Sequence, residues 1–258
     1  MGNMTLAKKM IAESKNSGAD FAKFQTWKVK NLRNGPWDND GRIDIYKKAE
    51  LSDNQHYELK EFCDEKDIKF LTSVFNINDL DFLGNLGLEY IKIPSHEVNN
   101  INLIKKSIDL FPKVLISTGA SLWKEVLSLI NKFGTKNIIY MHCTSAYPCE
   151  AKNVNFPRLL ELKKFVETIG YSGHYNGIDD AKIAITFGAK YIEKHFTLDN
   201  NLPGRDNKFA ILPEDLKNLD KFRRNFTEMI TKKGLDLQEE EKDTYKVYRG
   251  RWSKNVKI

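Results

Sequence analysis

Seven short apolar runs, each ending in polar, chemically capable residues, constrain this chain more than any other feature. They occupy positions 21–27, 70–75, 90–95, 114–119, 138–144, 169–174 and 191–197. Runs of this length, rich in Ile, Val, Phe and Tyr, suit strands buried on both faces, which need no strict alternation. Helical spacing separates most of them, predicting helices over 5–17, 78–86, 101–110, 121–133, 157–167, 178–187 and 213–231. Ser52 and Gln55 have the spacing of a capping box and announce a further helix. Gly87, Gly134 and Gly188 fall where helices should stop in a left-handed turn. Such a cadence of parallel βα units points to an α/β fold, a (β/α)8 TIM barrel. In that architecture chemistry collects where strands end, and here the endings carry Lys, Ser, Thr, Glu and His.

The barrel wants eight strands, but the chain begins with a helical pattern, so the first strand is expected to be missing. With 258 residues the chain fits one large barrel, a catalytic domain over 1–231 followed by a charged tail over 232–258. The long polar stretch 28–50 exceeds a routine connector and reads as a lid or substrate loop. No apolar stretch reaches the roughly 20 residues of a membrane helix. The opening residues lack the order of a secretory signal, which makes the cytoplasm the expectation. Cys63, Cys143 and Cys149 form no CxxC pair and read as reduced thiols, Cys143 as a small buried hydrophobe in a strand. The formal charge of +6 favours anionic partners only weakly. Basic clusters without an aromatic stacking module argue against a nucleic-acid partner.

Several motifs in unbroken order carry a specific resemblance. They are Gly18-Ala-Asp-Phe-Ala-Lys-Phe-Gln-Thr26, Ile91-Lys-Ile-Pro-Ser-His-Glu-Val-Asn-Asn100, Ser117-Thr-Gly119, His142-Cys-Thr-Ser-Ala-Tyr-Pro148, Gly170-Tyr-Ser-Gly-His174, Ile192-Glu-Lys-His-Phe-Thr-Leu-Asp199 and Pro203-Gly-Arg-Asp206. Over about residues 2 to 220 the chain resembles the sialic acid synthase family. The resemblance implies a condensation of phosphoenolpyruvate with an N-acylated amino sugar of the mannosamine type, giving a nonulosonic acid and phosphate. It implies a divalent cation, Mn²⁺ or Mg²⁺, with His174 and His195 as its ligands. Lys23, Lys92, Ser95, Ser117 and Ser172, with Ser73 and Ser145, match positions that bind phosphoenolpyruvate. A lysine between apolar strand neighbours is costly to bury without an anionic partner, which supports Lys23 and Lys92 independently. Strand-end serines can instead bond nearby backbone. Glu97 matches the catalytic carboxylate, and Gln25, Tyr147 and Asp206 match substrate contacts, although Asp206 also suits a turn.

The chain departs from the family pattern in three places. The strand with Glu-Ile-Gly and the Asn-His-x-Gly turn that open most members are not found, and only Met1-Gly2-Asn3 could correspond to their end. Where many members have Pro-Gly-Pro-Asp-His, this chain has Pro-Gly-Arg-Asp-Asn, so Arg205 and Asn207 are expected to read a different sugar. The C-terminal antifreeze-like (SAF) domain, which in relatives caps the partner's site, has no counterpart, leaving a homodimer open. Two other readings stand beside the first. One is a phosphoenolpyruvate-dependent 3-deoxy-sugar-acid phosphate synthase, needing a second phosphate site for which Arg205 is the obvious cation. The other is a catalytically inactive truncated barrel that binds sugar or a partner.

Overall fold

The computed structural model describes residues 2–252, which divide into two compact units, the first ending at Arg223 and the second beginning at Arg224. In the first unit seven parallel strands form one sheet in chain order. They are β1 (Phe21–Thr26), β2 (Lys69–Val74), β3 (Tyr90–Ile93), β4 (Lys113–Ser117), β5 (Ile138–Cys143), β6 (Ile169–Gly173) and β7 (Tyr191–Lys194). Helices connect them: α1 (Met4–Asn16) precedes β1, and α2 (Arg42–Ala49) and α3 (Asp53–Glu65) follow it. Then α4 (Leu80–Asn85), α5 (Ile101–Leu110), α6 (Trp123–Phe133), α7 (Phe156–Leu162) and α8 (Asp179–Thr186) lie between successive strands, and α9 (Pro213–Met229) follows β7.

Each predicted strand is present, but most stop one to three residues early, because the polar tips leave the ladder to enter loops. The predicted helix over 157–167 is shorter, ending at Leu162. The one over 78–86 opens with a 3₁₀ turn, Ile77–Asp79. The capping box is formed, with Gln55 N donating to Ser52 Oγ and Ser52 N donating to Gln55 Oε1. Gly87, Gly134 and Gly188 all have positive φ, as their stop positions require. The long segment after β1 is not a structureless loop, since it holds 3₁₀ turns at Val29–Asn31 and Pro36–Asp38 as well as α2.

The main core lies between the sheet and its helices, and includes Leu59, Leu80, Ile91, Ile104, Val114, Ile116, Val126, Tyr140 and Leu159. A second apolar cluster, Leu71, Leu115, Ile139 and Met141, with Phe21, Tyr90 and Tyr191 packed against it, belongs to the opposite face of the strands. Alternation explains the split, because residues two apart on a strand share a face. The sheet is curled, and a side chain of β1 reaches one of β7: Lys23 Nζ lies 3.4 Å from Glu193 Oε1.

The second unit holds a 3₁₀ turn at Glu239–Glu241 and a π-helical turn at Thr244–Tyr248. The charged tail expected over 232–258 falls within this unit, and its last positions, 253–258, lie outside the described residues. No helix among the described residues is long and apolar enough to cross a membrane.

Candidate active site

One face of the strands carries the predicted site residues as a staggered polar layer, in which Lys92 and Ser117 pair onward with Leu115 and Met141 of an apolar cluster. Gln25 pairs with Ser73, Ser73 with Lys92, Ser117 with Met141, Cys143 with Ser172, and Ser172 with Glu193. Beneath this layer, toward the strand starts, the same face carries the apolar cluster of Leu71, Leu115, Ile139 and Met141. The curled face is therefore apolar at its base and polar above.

A cavity of about 1260 Å³ opens over the polar layer. Lys23, Gln25, Ser73, Lys92, Ser95, Glu97, Ser117, Tyr147, Ser172, His174, His195 and Asp206 all line it. Ser145 does not. Its hydroxyl stands against Gly119 instead, where a Cβ would lie 2.4 Å from Ser145 Oγ and 2.7 Å from Ser95 Oγ. That glycine lets the loop after β4 approach both serines, and Gly119 N donates to Ser95 Oγ at 3.2 Å.

The electrostatic centre is a carboxylate that the motif reading passed over. Glu193 accepts from Lys92 Nζ at 3.0 Å, lies 3.4 Å from Lys23 Nζ, and accepts from Ser172 Oγ at 3.3 Å. The Lys92 side chain is only 2% exposed. Burial alone would raise the Glu193 carboxyl, but the two ammonium groups outweigh it and hold it far below the usual carboxylate range. Burial pushes the Lys23 ammonium down, helped by Lys92 and opposed by Glu193. Two cations thus share one internal anion, and Ser117 Oγ is buried nearby without a hydrogen-bond partner. Strand alternation was the available signal for Glu193, since it sits two residues before His195 on β7 and its continuation.

Glu97 lies in a 3₁₀ turn, Ser95–Glu97, just after β3, and accepts from Asn100 Nδ2 at 2.9 Å. It is half-buried at the cavity wall rather than free on the surface. Tyr147 packs against the His174 ring with centroids 4.2 Å apart, and burial pushes its phenol up to about 12. Asp206 begins a 3₁₀ turn, Asp206–Phe209, whose last residue packs its ring edge against His195 with centroids 5.3 Å apart.

The imidazoles of His174 and His195 lie side by side, with centroids 5.4 Å apart, although 21 positions separate them in the chain. Burial lowers both, His195 to about 3 with help from Lys23 and His174, so both rings are neutral. His174 Nδ1 lies 3.1 Å from the Thr144 carbonyl, a contact that requires Nδ1 to donate and leaves the lone pair on Nε2. Neutral imidazoles at this spacing fit a divalent cation of the Mn²⁺ class whose remaining ligands are oxygens of water or substrate. No group of three or more His, Cys, Asp or Glu that could hold a metal occurs among the described residues, so the protein's own share would be these two nitrogens. Cys143 is buried as expected, and also lines the cavity with its Sγ 4.0 Å from His174 Nδ1.

Curled parallel sheet, apolar base and polar strand ends together define an α/β half-barrel with a polar cavity at the carboxyl ends of its strands. The sequence profile of the NeuB family matches residues 10–234, and the chain belongs to that family. It is 38% identical over 235 residues to the N,N'-diacetyllegionaminic acid synthase of Campylobacter jejuni, covering 84% of this chain and 70% of that protein. It is 30% identical over 233 residues to the human N-acetylneuraminate-9-phosphate synthase, covering 84% and 65% respectively. Among solved structures, the N-acetylneuraminic acid synthetase of Leptospira borgpetersenii, crystallised with citrate, superposes with a TM-score of 0.85 at 29% identity, over 96% of this chain and 88% of that one. A truncated 3-deoxy-D-arabino-heptulosonate 7-phosphate synthase from Thermotoga maritima shares the fold, with a TM-score of 0.68 at 16% identity over 88% and 83% of the two chains.

Proposed function

We propose that this chain condenses phosphoenolpyruvate with an N-acylmannosamine-type sugar to give a nonulosonic acid and inorganic phosphate. The observation that carries the reading is the meeting of Lys23 and Lys92, from β1 and β3, in the same cavity as the paired imidazoles of His174 and His195. Phosphoenolpyruvate brings a carboxylate and a phosphate. Two lysines supply the point charge, while Ser73, Ser95, Ser117 and Ser172 supply directed donors. A divalent cation on His174 and His195, Mn²⁺ or Mg²⁺, would supply Lewis-acid polarisation of the sugar aldehyde.

The chain's own residues account for the remaining steps. Lys23 and Lys92 hold the enol so that its C3 faces the aldehyde carbon, and the C2=C3 π pair forms the new C–C bond. Glu97, kept in place by Asn100, is the proton carrier: it delivers a proton to the sugar oxygen and receives one as water adds to C2. The C2–O bond to phosphate then breaks, phosphate leaves with the electron pair and takes up the proton of the C2 hydroxyl, and the 2-keto acid remains. Tyr147, Gln25 and Asp206 orient the sugar. Manganese-dependent phosphate release from phosphoenolpyruvate, seen only when an N-acylmannosamine is added, is the test. A folded, metal-loaded protein that releases no phosphate with a panel of such sugars defeats the reading.

One observation favours a second acceptor class. Arg33 and Arg42 join Arg205 in lining the cavity, although Arg42 is paired with Asp40. A phosphorylated sugar would suit them, and comparing each acceptor with its phosphate ester separates the two. The finer fold reading, a (β/α)8 barrel closed by a strand preceding β1 and lying between β7 and β1, belongs with this proposal. The approach of Lys23 to Glu193 across the curled face supports it. An in-frame Glu-Ile-Gly and Asn-His stretch upstream of Met1 in the coding sequence would establish it.

A further inference from the structure

The loop that follows β4 is held from outside the cavity by one arginine. Arg158, on α7, directs Nη2 to the carbonyl oxygens of Thr118 and Ser121, both at 3.0 Å, and to Ser121 Oγ at 3.3 Å. Ser121 Oγ in turn donates to Thr118 O at 2.7 Å. Between the two clamped carbonyls lies Ala120, in a left-handed conformation at φ 50°, which a residue with a Cβ adopts only under constraint. Immediately before it, Gly119 N donates to Ser95 Oγ, and Ser117 Oγ stands buried and unpartnered.

Arg158 is an unusual choice for a structural clamp. Among the described residues no carboxylate lies within salt-bridge distance of it, and its Nε is buried with no acceptor. A guanidinium that is half-buried without a counter-ion carries a desolvation cost that a neutral donor would avoid. Arg158 does not line the cavity, so it touches no bound ligand. Whatever it contributes passes through the backbone of 118–121.

We propose that Arg158 is a positioning residue for the anion cradle at the end of β4: it fixes the turn whose Gly119 amide holds the Ser95 hydroxyl, and so sets the hydroxyls of Ser95 and Ser117 that line the cavity toward the donor substrate. This rests on the reading of the cavity as a phosphoenolpyruvate site, and adds a residue that the strand-end motifs do not contain. The cradle sits at the donor end, so losing the clamp should weaken phosphoenolpyruvate selectively. A general loss of fold would instead weaken both substrates and the melting temperature together.

The test is steady-state kinetics of wild type, R158A and R158K, with direct titration of phosphoenolpyruvate followed by the fluorescence of Trp27 and Trp37, which line the cavity. R158A is expected to raise the KM for phosphoenolpyruvate at least tenfold, with the KM for the sugar within twofold of wild type. R158K keeps the charge on a side chain one bond shorter, which does not carry its ammonium to the place of Nη2 against both carbonyls, and should recover less than half of that loss. Should R158A fail to fold, R158K carries the comparison, with a raised phosphoenolpyruvate KM still expected. A phosphoenolpyruvate KM within twofold of wild type in either folded variant overturns the inference, as does an equal rise in both KM values. Wild type that neither binds nor consumes phosphoenolpyruvate defeats the underlying reading and the inference with it. Wild type that binds normally beside a variant that binds equally well defeats the inference alone.

Discussion

Lys23, Lys92 and Glu193 form a charge arrangement that works against itself until an anion arrives. The carboxylate lets two ammonium groups be buried, yet it also competes for them. Lys92→Met should lower kcat/KM for phosphoenolpyruvate by about 30- to 1000-fold, the equivalent of roughly 2–4 kcal/mol for truncating one member of a buried, hydrogen-bonded charge pair. Glu193→Gln should act in the opposite sense on binding and tighten phosphoenolpyruvate, a contrast that titration of both variants reads directly. Far from the cavity, His56 is buried with Nδ1 2.8 Å from Ser52 O and Nε2 2.7 Å from Thr26 Oγ1. Burial lowers its pKa, so the neutral ring belongs to the folded state. Its contribution to stability is full above the unfolded value near 6.5 and is lost as pH falls below that toward the folded value. Melting temperatures from pH 8 to pH 5 should therefore decline less steeply in His56→Gln than in wild type. Lys23 and Lys92 were legible because a lysine between apolar strand neighbours is costly to bury without an anion, whereas the two histidines were read through the family resemblance. Glu193 was not legible, because a carboxylate beside Lys194 and His195 reads equally well as a local ion pair. Only the curl of the sheet shows it facing β1 and β3.

At the scale of elements, the strands were plain in the sequence and their exact ends were not. Apolar runs record burial, which persists beyond the last ladder bond, and those extra residues include Ser95, His174 and His195, while Lys23, Ser73, Lys92, Ser117, Ser172 and Glu193 sit within the strands. Helix stops were readable at Gly87, Gly134 and Gly188 because positive φ selects glycine. Ala120 obeys no such rule. Its left-handed backbone is imposed by Arg158 and Ser121, and no local signal announces it. Ala120→Gly should raise stability by up to about 1 kcal/mol, since glycine adopts that region without steric cost, and a denaturant midpoint measures the gain. The stretch after β1 was expected to serve as a lid, and Trp27, Lys28, Arg33, Trp37, Arg42 and Tyr46 do line the cavity. Its helix α2 escaped notice because eight residues with a weak apolar face barely rise above a polar background.

On the scale of the whole sheet, one face splits into an apolar base and a polar tier, while the other is mainly apolar beneath the helices, with Thr26, Thr72 and His142 buried among its hydrophobic residues. This division was visible in outline, since each run alternates between the two faces, but the register that aligns Ser73 with Lys92 and Ser172 with Glu193 depends on pairing between strands. Leu71, Leu115, Ile139 and Met141 seal the cavity at its foot. Substrates and products are therefore expected to pass through the polar end. On the proposed reading the donor, seated against Lys92, is expected to arrive before the acceptor covers it, and phosphate to depart after the new sugar acid. Product-inhibition patterns should accordingly show phosphate competing with phosphoenolpyruvate for the empty enzyme, and a random order of arrival would mean that the vessel has a second door.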